Sequence, residues 1–309
     1  MSVNPNEIKK LRTEQRNETT KDIDLLGTVE LVRRLNDVNR SLCDAVAEQT
    51  EQIAKAVDVI TDRMQHEGRL IFIGAGTSGR LGILDSSECP PTFSVSPDKV
   101  IGIISGGDRA IRQSVENAED DPNSAKGQLA EVSLCDKDVV CGIAASGRTP
   151  YVLGALDYAK SIGAATIGVT NNKNSELSKH CDTVIEIDVG PEALSGSTRL
   201  KSGTSQKMVL NILTTASMVR QGKTYSNLMI DVKATNEKLR ARCLNILREI
   251  FPEKDQEELS KALEQSNGSA KLAAVIIKLN VSVDEAEKLI EKHNGKLRSV
   301  FGETSGEKR

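Results

Sequence analysis

The sequence is poor in the residues that hold metals and bind polyanions. It has only three histidines, His66, His180 and His293, scattered along 309 residues, so a zinc site would lack partners. Lys and Arg number 41 against 44 Asp and Glu, a formal net charge of −3. Such a chain carries no basic field to hold nucleic acid or an anionic membrane. The six cysteines show no C-x-x-C spacing. Cys135 and Cys141 are near enough in sequence to be neighbours in space, but reduced thiols of a cytoplasmic protein are the expectation. No apolar run reaches the roughly 18 residues of a membrane span, and the start, MSVNPNEIKKLRTEQRNETT, is too polar for a signal peptide. What remains is a cytoplasmic protein that acts on something small, with no metal.

The hydrophobic fraction of 38% and charged fraction of 28% suit a globular protein, and the length suits one large domain and a smaller one. Residues 1–25 are polar and without period, an arm that docks or stays loose. From Thr28 to about His66, Val29, Val32, Leu35, Val46, Ile53, Val57, Ile60 and Met64 recur at helical spacing, which predicts two helices over the core that follows. Five short apolar runs come next, at 69–76, 99–107, 138–147, 165–172 and 183–190, each ending in small or polar residues. Helical stretches separate them at 79–87, 108–119, 150–162 and 174–180. Continuous apolar strands alternating with helices predict an α/β fold: a doubly wound, five-stranded parallel sheet in a three-layer sandwich, with N-terminal helices and a small C-terminal helical domain. Long helices are expected over 204–221 and through 227–250. Phe251-Pro252 breaks the chain, and a charged helical bundle follows with stops at Asn267-Gly268 and Asn294-Gly295. The expected divisions are 1–66, 67–222, 223–250 and 251–309.

Ligands of such sheets lie beyond the carboxyl ends of the strands. At the first of these ends, Gly74, Gly76 and Gly79 form a G-x-G-x-x-G, the pattern of a dinucleotide cofactor. The fingerprint also needs an acid at the end of the second strand, where this chain has Ile104-Ser105-Gly106-Gly107. Asp108 comes later and reads as a helix N-cap, and Thr77 and Ser78 stand where a pyrophosphate turn wants bare backbone. No cofactor is expected. A second turn, Ala145-Ser146-Gly147-Arg148-Thr149-Pro150, closes the third strand, with Thr149 as N-cap and Pro150 at N1. Either turn alone is explained by helix capping. Two hydroxyl-rich turns feeding helix N-termini at strand ends together make a site for one phosphate.

GAGTS (74–78) and ASGRT (145–149) resemble the sugar isomerase (SIS) domain family of phosphosugar-binding sandwiches. The longer stretches GAGTSGRLGILDSSECPPTF, GIAASGRTPYV and STRLKSGTSQKMVLNIL, with TEQRN at 13–17 and DVKATNEKLR at 231–240, resemble the etherases within that family over nearly the whole chain. The resemblance implies a carbon–oxygen lyase, free of metal and redox cofactors, that removes lactate from a phosphorylated amino sugar by elimination and water addition in cell-wall recycling. It implies phosphate contacts at Ser78, Ser146 and Thr149, with Gly76, Thr77 and Gly147 nearby, and a homodimer whose partner helices complete the pocket. Arg148 is expected at the phosphate, at the lactate carboxylate, or as a solvent-facing residue at the helix start. Ser197, Thr198 and Lys201 are expected to close on the sugar, with Lys201 equally able to pair with Glu192.

The chemistry asks for two carboxyl groups. Glu88 lies just ahead of Pro90-Pro91, which are expected to stop its helix. A carboxylate at a helix C-terminus opposes the local dipole, which suits an acid. Glu116, four residues after Arg112, is explained by an ordinary i,i+4 pair. Glu119 gains no local cation and sits at an expected helix end, and the resemblance places the second acid of the etherases on this Glu. Glu119 is therefore assigned as the second carboxylate, the C2 base, with Glu116 as its alternative; the roles of Glu88 and Glu119 can be exchanged. Two rival readings keep the phosphate turns. A non-catalytic sugar-phosphate sensor needs no acid at Glu88, and an aldose–ketose isomerase needs none aimed at an ether. A DNA-binding regulator would need a recognition helix that residues 1–66 do not show.

Overall fold

The computed structural model describes residues 11–303. They fall into two compact units: the described chain up to Ser87 with Pro97–Thr214, and Glu88–Ser96 with the described chain from Thr215 on.

The first unit is built on a parallel sheet of five strands, β1 (Leu70–Gly74), β2 (Val100–Ile104), β3 (Val139–Ile143), β4 (Ala165–Thr170) and β5 (Thr183–Glu186), in the order β2-β1-β3-β4-β5. Strands β1 and β3 are buried along their whole length, as expected where helices cover both faces of a parallel sheet. One face packs Ile71, Ile73 and Val140 against Ala125 and Leu129 of one helix and Tyr151, Val152 and Ala155 of another. The first of these, Pro122–Glu131, was not foreseen among the expected helices. Its sequence signals are an Asp121 side chain that accepts from Asn123 N and a Pro at N1.

In chain order the helices of this unit are α1 (Thr28–Asp37), α2 (Leu42–Ala47), α3 (Thr50–Gln65), α4 (Gly76–Phe93), α5 (Asp108–Arg112), α6 (Pro122–Glu131), α7 (Pro150–Ile162) and α8 (Lys201–Arg220). The chains of α4 and α8 run on into the second unit. The expected pair of N-terminal helices is three. Ile53, Val57, Ile60 and Met64 of α3 are buried, but no residue of α1 is. Val29, Val32 and Leu35 thus form an exposed apolar face instead of covering the core.

Two further expectations are corrected. Pro90-Pro91 do not stop α4, which continues to Phe93. Each proline forfeits a backbone hydrogen bond, but its φ is helical, and Cys89 and Phe93, one turn apart, are both buried. Burying a Phe contributes about 1.5–3 kcal/mol, which offsets part of the roughly 3 kcal/mol cost of each interior proline. The helix expected over 108–119 ends at Arg112: Gln113 is extended and Asn117 is left-handed at φ 60°. Its N-cap is Gly107, not Asp108. The stretch expected as a helix at 174–180 is a short 3-10 turn, Glu176–Lys179.

On the other face of the sheet, α4 and α8 are tied by Asp85, which is 7% exposed and accepts from Asn211 Nδ2 at 2.5 Å. Burial raises the Asp85 pKa; hydrogen bonds from Thr214 and Asn211 and the charge of Lys207 oppose the shift. A carboxyl whose folded pKa is raised stabilises the fold fully below its unfolded value, about 3.9, and loses that contribution as pH rises through the folded value. Asp85→Asn, whose Oδ1 can still accept from Asn211, is therefore expected to raise the thermal midpoint at pH 7 and to give little gain at pH 4. Equal shifts at both pH values, measured by calorimetry, would reject this account.

The second unit has its own core of Ile230, Val232, Cys243, Leu247, Leu259, Leu263, Ala273 and Val275. Its helices are α9 (Glu237–Ile250), α10 (Gln256–Gln265), α11 (Ala270–Leu279), α12 (Val283–Lys292) and α13 (Leu297–Val300). The helix expected from 227 starts only at Glu237, where the Asn236 side chain accepts from Leu239 N. The expected stops hold: Asn267, Gly268, Asn294 and Gly295 all have positive φ. Inside this unit the Lys271 ammonium is paired with Asp231 at 2.7 Å and donates to Gly222 O.

Candidate phosphosugar site

The first turn leaves β1 at Gly74 and enters α4 at Gly76. The helix start presses directly on the strand end. A Cβ at Gly79 would lie 2.6 Å from Gly74 O and from Ile104 Cγ1, so only glycine permits the approach. Gly76 is exposed, Thr77 half-buried and Ser78 buried. The free N–H groups of this helix start point beyond the sheet.

The second turn leaves β3 at Ile143 and enters α7 at Pro150. Thr149 is the N-cap, in extended geometry, with Pro150 at N1, and its hydroxyl makes no capping bond. Ser146 Oγ accepts from Arg148 N at 3.3 Å. Gly147 has φ 66°, and the 3-10 turn after β4 supports it from below: Leu177 N donates to Gly147 O at 2.9 Å. Because β1 pairs with β3 in register Gly74↔Ile143, the two turns leave neighbouring strands, about 4.8 Å apart, at the same level. They form one shelf of N–H and O–H groups.

A buried polar chain joins the two turns, and sequence reasoning missed its members other than Ser78. Asn171 Nδ2 donates to Ile187 O and Ser205 Oγ, which leaves Oδ1 to accept from Gln206 Nε2 at 2.9 Å. Gln206 Oε1 then faces Ser78 Oγ at 2.8 Å. An amide oxygen only accepts, so Ser78 donates, and its proton direction is set from Ile187 through two amides. Next along the chain, Asn172 Nδ2 donates to Ala145 O at 2.9 Å. The available signal was the polar pair Asn171-Asn172 at the end of an apolar strand, a position where ligand-side residues collect.

The carboxylates stand differently from their expected settings. Glu119 lies in a 3-10 turn, Ala118–Asp120, that packs against α7; a Cβ at Gly154, one turn into α7, would sit 2.5 Å from Pro122 O. Its segment is thereby anchored near the start of the helix that carries the second turn. Glu116 and Arg112 do not share a helix, so the i,i+4 pair that explained Glu116 lacks its geometry. Both Glu116 and Glu119 are exposed. Glu88 is exposed on α4, five residues before its end rather than at its terminus, and belongs to the second unit. Lys201 meets Glu192 through its backbone N–H and not, as its alternative reading expected, through an ammonium–carboxylate pair. It is buried and donates to Val189 O and Pro191 O, while the fully buried Glu192 carboxylate caps α8 by accepting from Lys201 N and Ser202 N at 2.8 and 2.9 Å. Desolvation lowers the Lys201 pKa, opposed by the charges of Glu192 and Asp188. Ser197 and Thr198 lie half-buried just before α8.

No group of three metal-ligating side chains occurs among the described residues, and no helix there is long and apolar enough to cross a membrane. An open groove of about 600 Å³ lined by Asp58, Asp62, Arg63, Lys160 and Asp182 lies at the amino ends of β4 and β5. That is the opposite end of the sheet from both turns.

A parallel α/β sandwich with paired hydroxyl-rich turns at its central strand ends is the architecture of the SIS domain, and the SIS domain family matches residues 111–216. The glucokinase regulatory protein N-terminal SIS domain family matches residues 52–160. Over 294 residues, 95% of this chain and 96% of the relative, the sequence is 51% identical to N-acetylmuramic acid 6-phosphate etherase of Actinobacillus pleuropneumoniae serotype 5b (strain L20). It is 49% identical to the etherase of Clostridioides difficile (strain 630), again over 95% and 96% of the two chains. With that of Lactobacillus acidophilus (strain ATCC 700396 / NCK56 / N2 / NCFM) it shares 47%, over 96% and 99%. The chain belongs to the N-acetylmuramic acid 6-phosphate etherase family.

Proposed function

We propose that this chain cleaves the D-lactyl ether of N-acetylmuramic acid 6-phosphate to N-acetylglucosamine 6-phosphate and D-lactate, in the cytoplasm, as a step of peptidoglycan recycling. The observation that carries the proposal is the pair of adjacent turns, one with Gly76, Thr77 and Ser78 and one with Ser146, Gly147, Arg148 and Thr149, on a chain that matches etherases along almost its whole length. Two helix N-termini and a Thr149 hydroxyl not used for capping suit a phosphate dianion. The phosphate takes no part in bond breaking; its binding energy orients the sugar.

In the open-chain sugar the aldehyde makes the C2 hydrogen acidic. Glu119 removes that proton, the electron pair forms the C2=C3 double bond, and the C3–O bond breaks. Glu88 gives its proton to the departing lactate. Water then adds at C3 and a proton returns to C2, the same two carboxyl groups acting in reverse, so that one water is consumed for each ether cleaved. Neither a metal nor a redox cofactor enters this sequence.

We also assign the active form as a homodimer. In support, the α1 face of Val29, Val32 and Leu35 is 64%, 51% and 37% exposed, an apolar stripe on a helix with no buried residue.

The test is incubation with N-acetylmuramic acid 6-phosphate in ¹⁸O-water without added cofactor. The expected result is D-lactate release with ¹⁸O on C3 of the sugar, from protein that sediments as a dimer. Label on lactate instead would reject elimination. Tight binding without turnover would mark a sugar-phosphate sensor, a reading favoured by the match to the glucokinase regulatory protein domain.

A further inference from the structure

Of the expected N-terminal arm, residues 1–10 lie outside the described residues, and residues 11–25 dock on the fold. The arm's described residues lie across the loop 188–197 and make a series of long-range bonds. Gly196 N donates to Thr13 O at 3.2 Å, Asn17 Nδ2 to Pro191 O at 3.3 Å, and Thr20 Oγ1 to Ala193 O at 2.8 Å. Arg12 Nε approaches Asp188 Oδ1 at 3.4 Å. Thr13 is fully buried, which is unusual for a hydroxyl in an otherwise polar segment.

The centre of this contact is Asn172, 4% exposed at the end of β4. Its Oδ1 accepts from Arg12 N at 2.9 Å. Its Nδ2 donates to Thr13 Oγ1 at 3.3 Å and to Ala145 O at 2.9 Å. The arm therefore dictates which way this amide faces: with Oδ1 held by a backbone N–H, Nδ2 must face Ala145, the first residue of the second turn. An Asn side chain released from the arm is free to rotate, and the Ala145 carbonyl then keeps only its bonds from Asn171 N and Thr170 Oγ1.

We propose that Thr13 and Asn172 are positioning residues of the phosphate site: the N-terminal arm, through the Asn172 amide, holds the Ala145–Thr149 turn in its anion-binding geometry. This rests on the reading of that turn as a phosphate anchor. The segment is thus part of the site's framework although neither residue touches substrate. Because a turn held less rigidly must be ordered by the ligand itself, loss of the contact weakens phosphate binding rather than proton transfer.

The experiment compares the full chain with Asn172→Ala, Thr13→Val, Thr13→Ser, Ser146→Ala and the Asn172→Ala/Ser146→Ala double variant. Inorganic phosphate and N-acetylglucosamine 6-phosphate are the probes, measured by calorimetry, with KM, kcat and thermal unfolding alongside. Asn172→Ala is expected to weaken both probes and raise KM about tenfold, the size of one lost buried contact. Thr13→Val should act in the same direction, Thr13→Ser should restore binding, and the double variant should lose less than the sum of the singles because the effects pass through one turn. Unchanged affinity in folded Asn172→Ala and Thr13→Val, with Ser146→Ala still weakened, overturns the inference alone. Wild-type protein that binds neither probe overturns the phosphate reading with it. A loss of kcat that tracks only the unfolded fraction, at constant KM, assigns the arm a structural role and also overturns the proposal.

Discussion

Glu119→Gln and Glu88→Gln are each expected to lower turnover about 10²- to 10⁴-fold, the usual worth of a placed acid or base, while product affinity changes little. Gln keeps the shape of Glu and removes the charge and the proton that the reaction uses. The two variants separate by isotope exchange. In ²H₂O, Glu119→Gln should lose exchange at C2 of the sugar, because the base is gone. Glu88→Gln should keep C2 exchange and lose lactate release, because the proton leaves but the ether oxygen is not protonated. The opposite pattern exchanges the two roles. Full activity in either variant removes that residue from the catalytic pair and, for Glu119, passes the assignment to Glu116, which shares its exposed segment and has no helical partner to explain it.

Gly147→Ala carries the second large effect. A Cβ at this position would lie 2.3 Å from Ser175 Oγ, 2.4 Å from Ser175 Cβ and 2.7 Å from Thr170 Oγ1, at φ 66°. The two hydroxyls can rotate, but Ser175 Cβ is fixed to its backbone, so the turn must move away from Ser175 and give up the bond from Leu177 N. Affinity for N-acetylglucosamine 6-phosphate is expected to fall about 100-fold, or roughly 2.8 kcal/mol at 1.4 kcal/mol per decade. Gly76→Ala is the contrasting substitution. Its φ is 53° but no atom lies within 4 Å of the added Cβ, so only the left-handed backbone is penalised, by about 1 kcal/mol. Equal losses in the two variants would show that backbone strain, not the Ser175 contact, governs the turn.

Much of this was legible in the chain. The five strands fall inside the five apolar runs, most clearly for β1 and β3, where burial along the whole strand leaves little room for polar side chains. Thr149-Pro150 marked a helix start by local chemistry alone, and the structure has it there. The errors lie where tertiary contacts overruled local rules. Pro90-Pro91 read as a stop, but burial of Cys89 and Phe93 carries α4 past them. Val29, Val32 and Leu35 have the spacing of a core helix, yet spacing says only that one face is apolar, not what covers it. Residues 108–119 had the composition of a helix, but the helix ends at Arg112, where Gln113 turns extended.

By itself, then, the sequence determined the parallel sheet, the two hydroxyl-rich turns and the etherase family, since periodicity, turn chemistry and motifs are local properties written in consecutive residues. Only the tertiary structure decided what supports those turns. The route from Ile187 through Asn171 and Gln206 to Ser78, and the hold of Arg12 and Thr13 on Asn172, join residues 16 to 160 positions apart. A hydrogen bond between such residues exists only once the strands have brought them together, and nothing in the local sequence of either partner encodes the other.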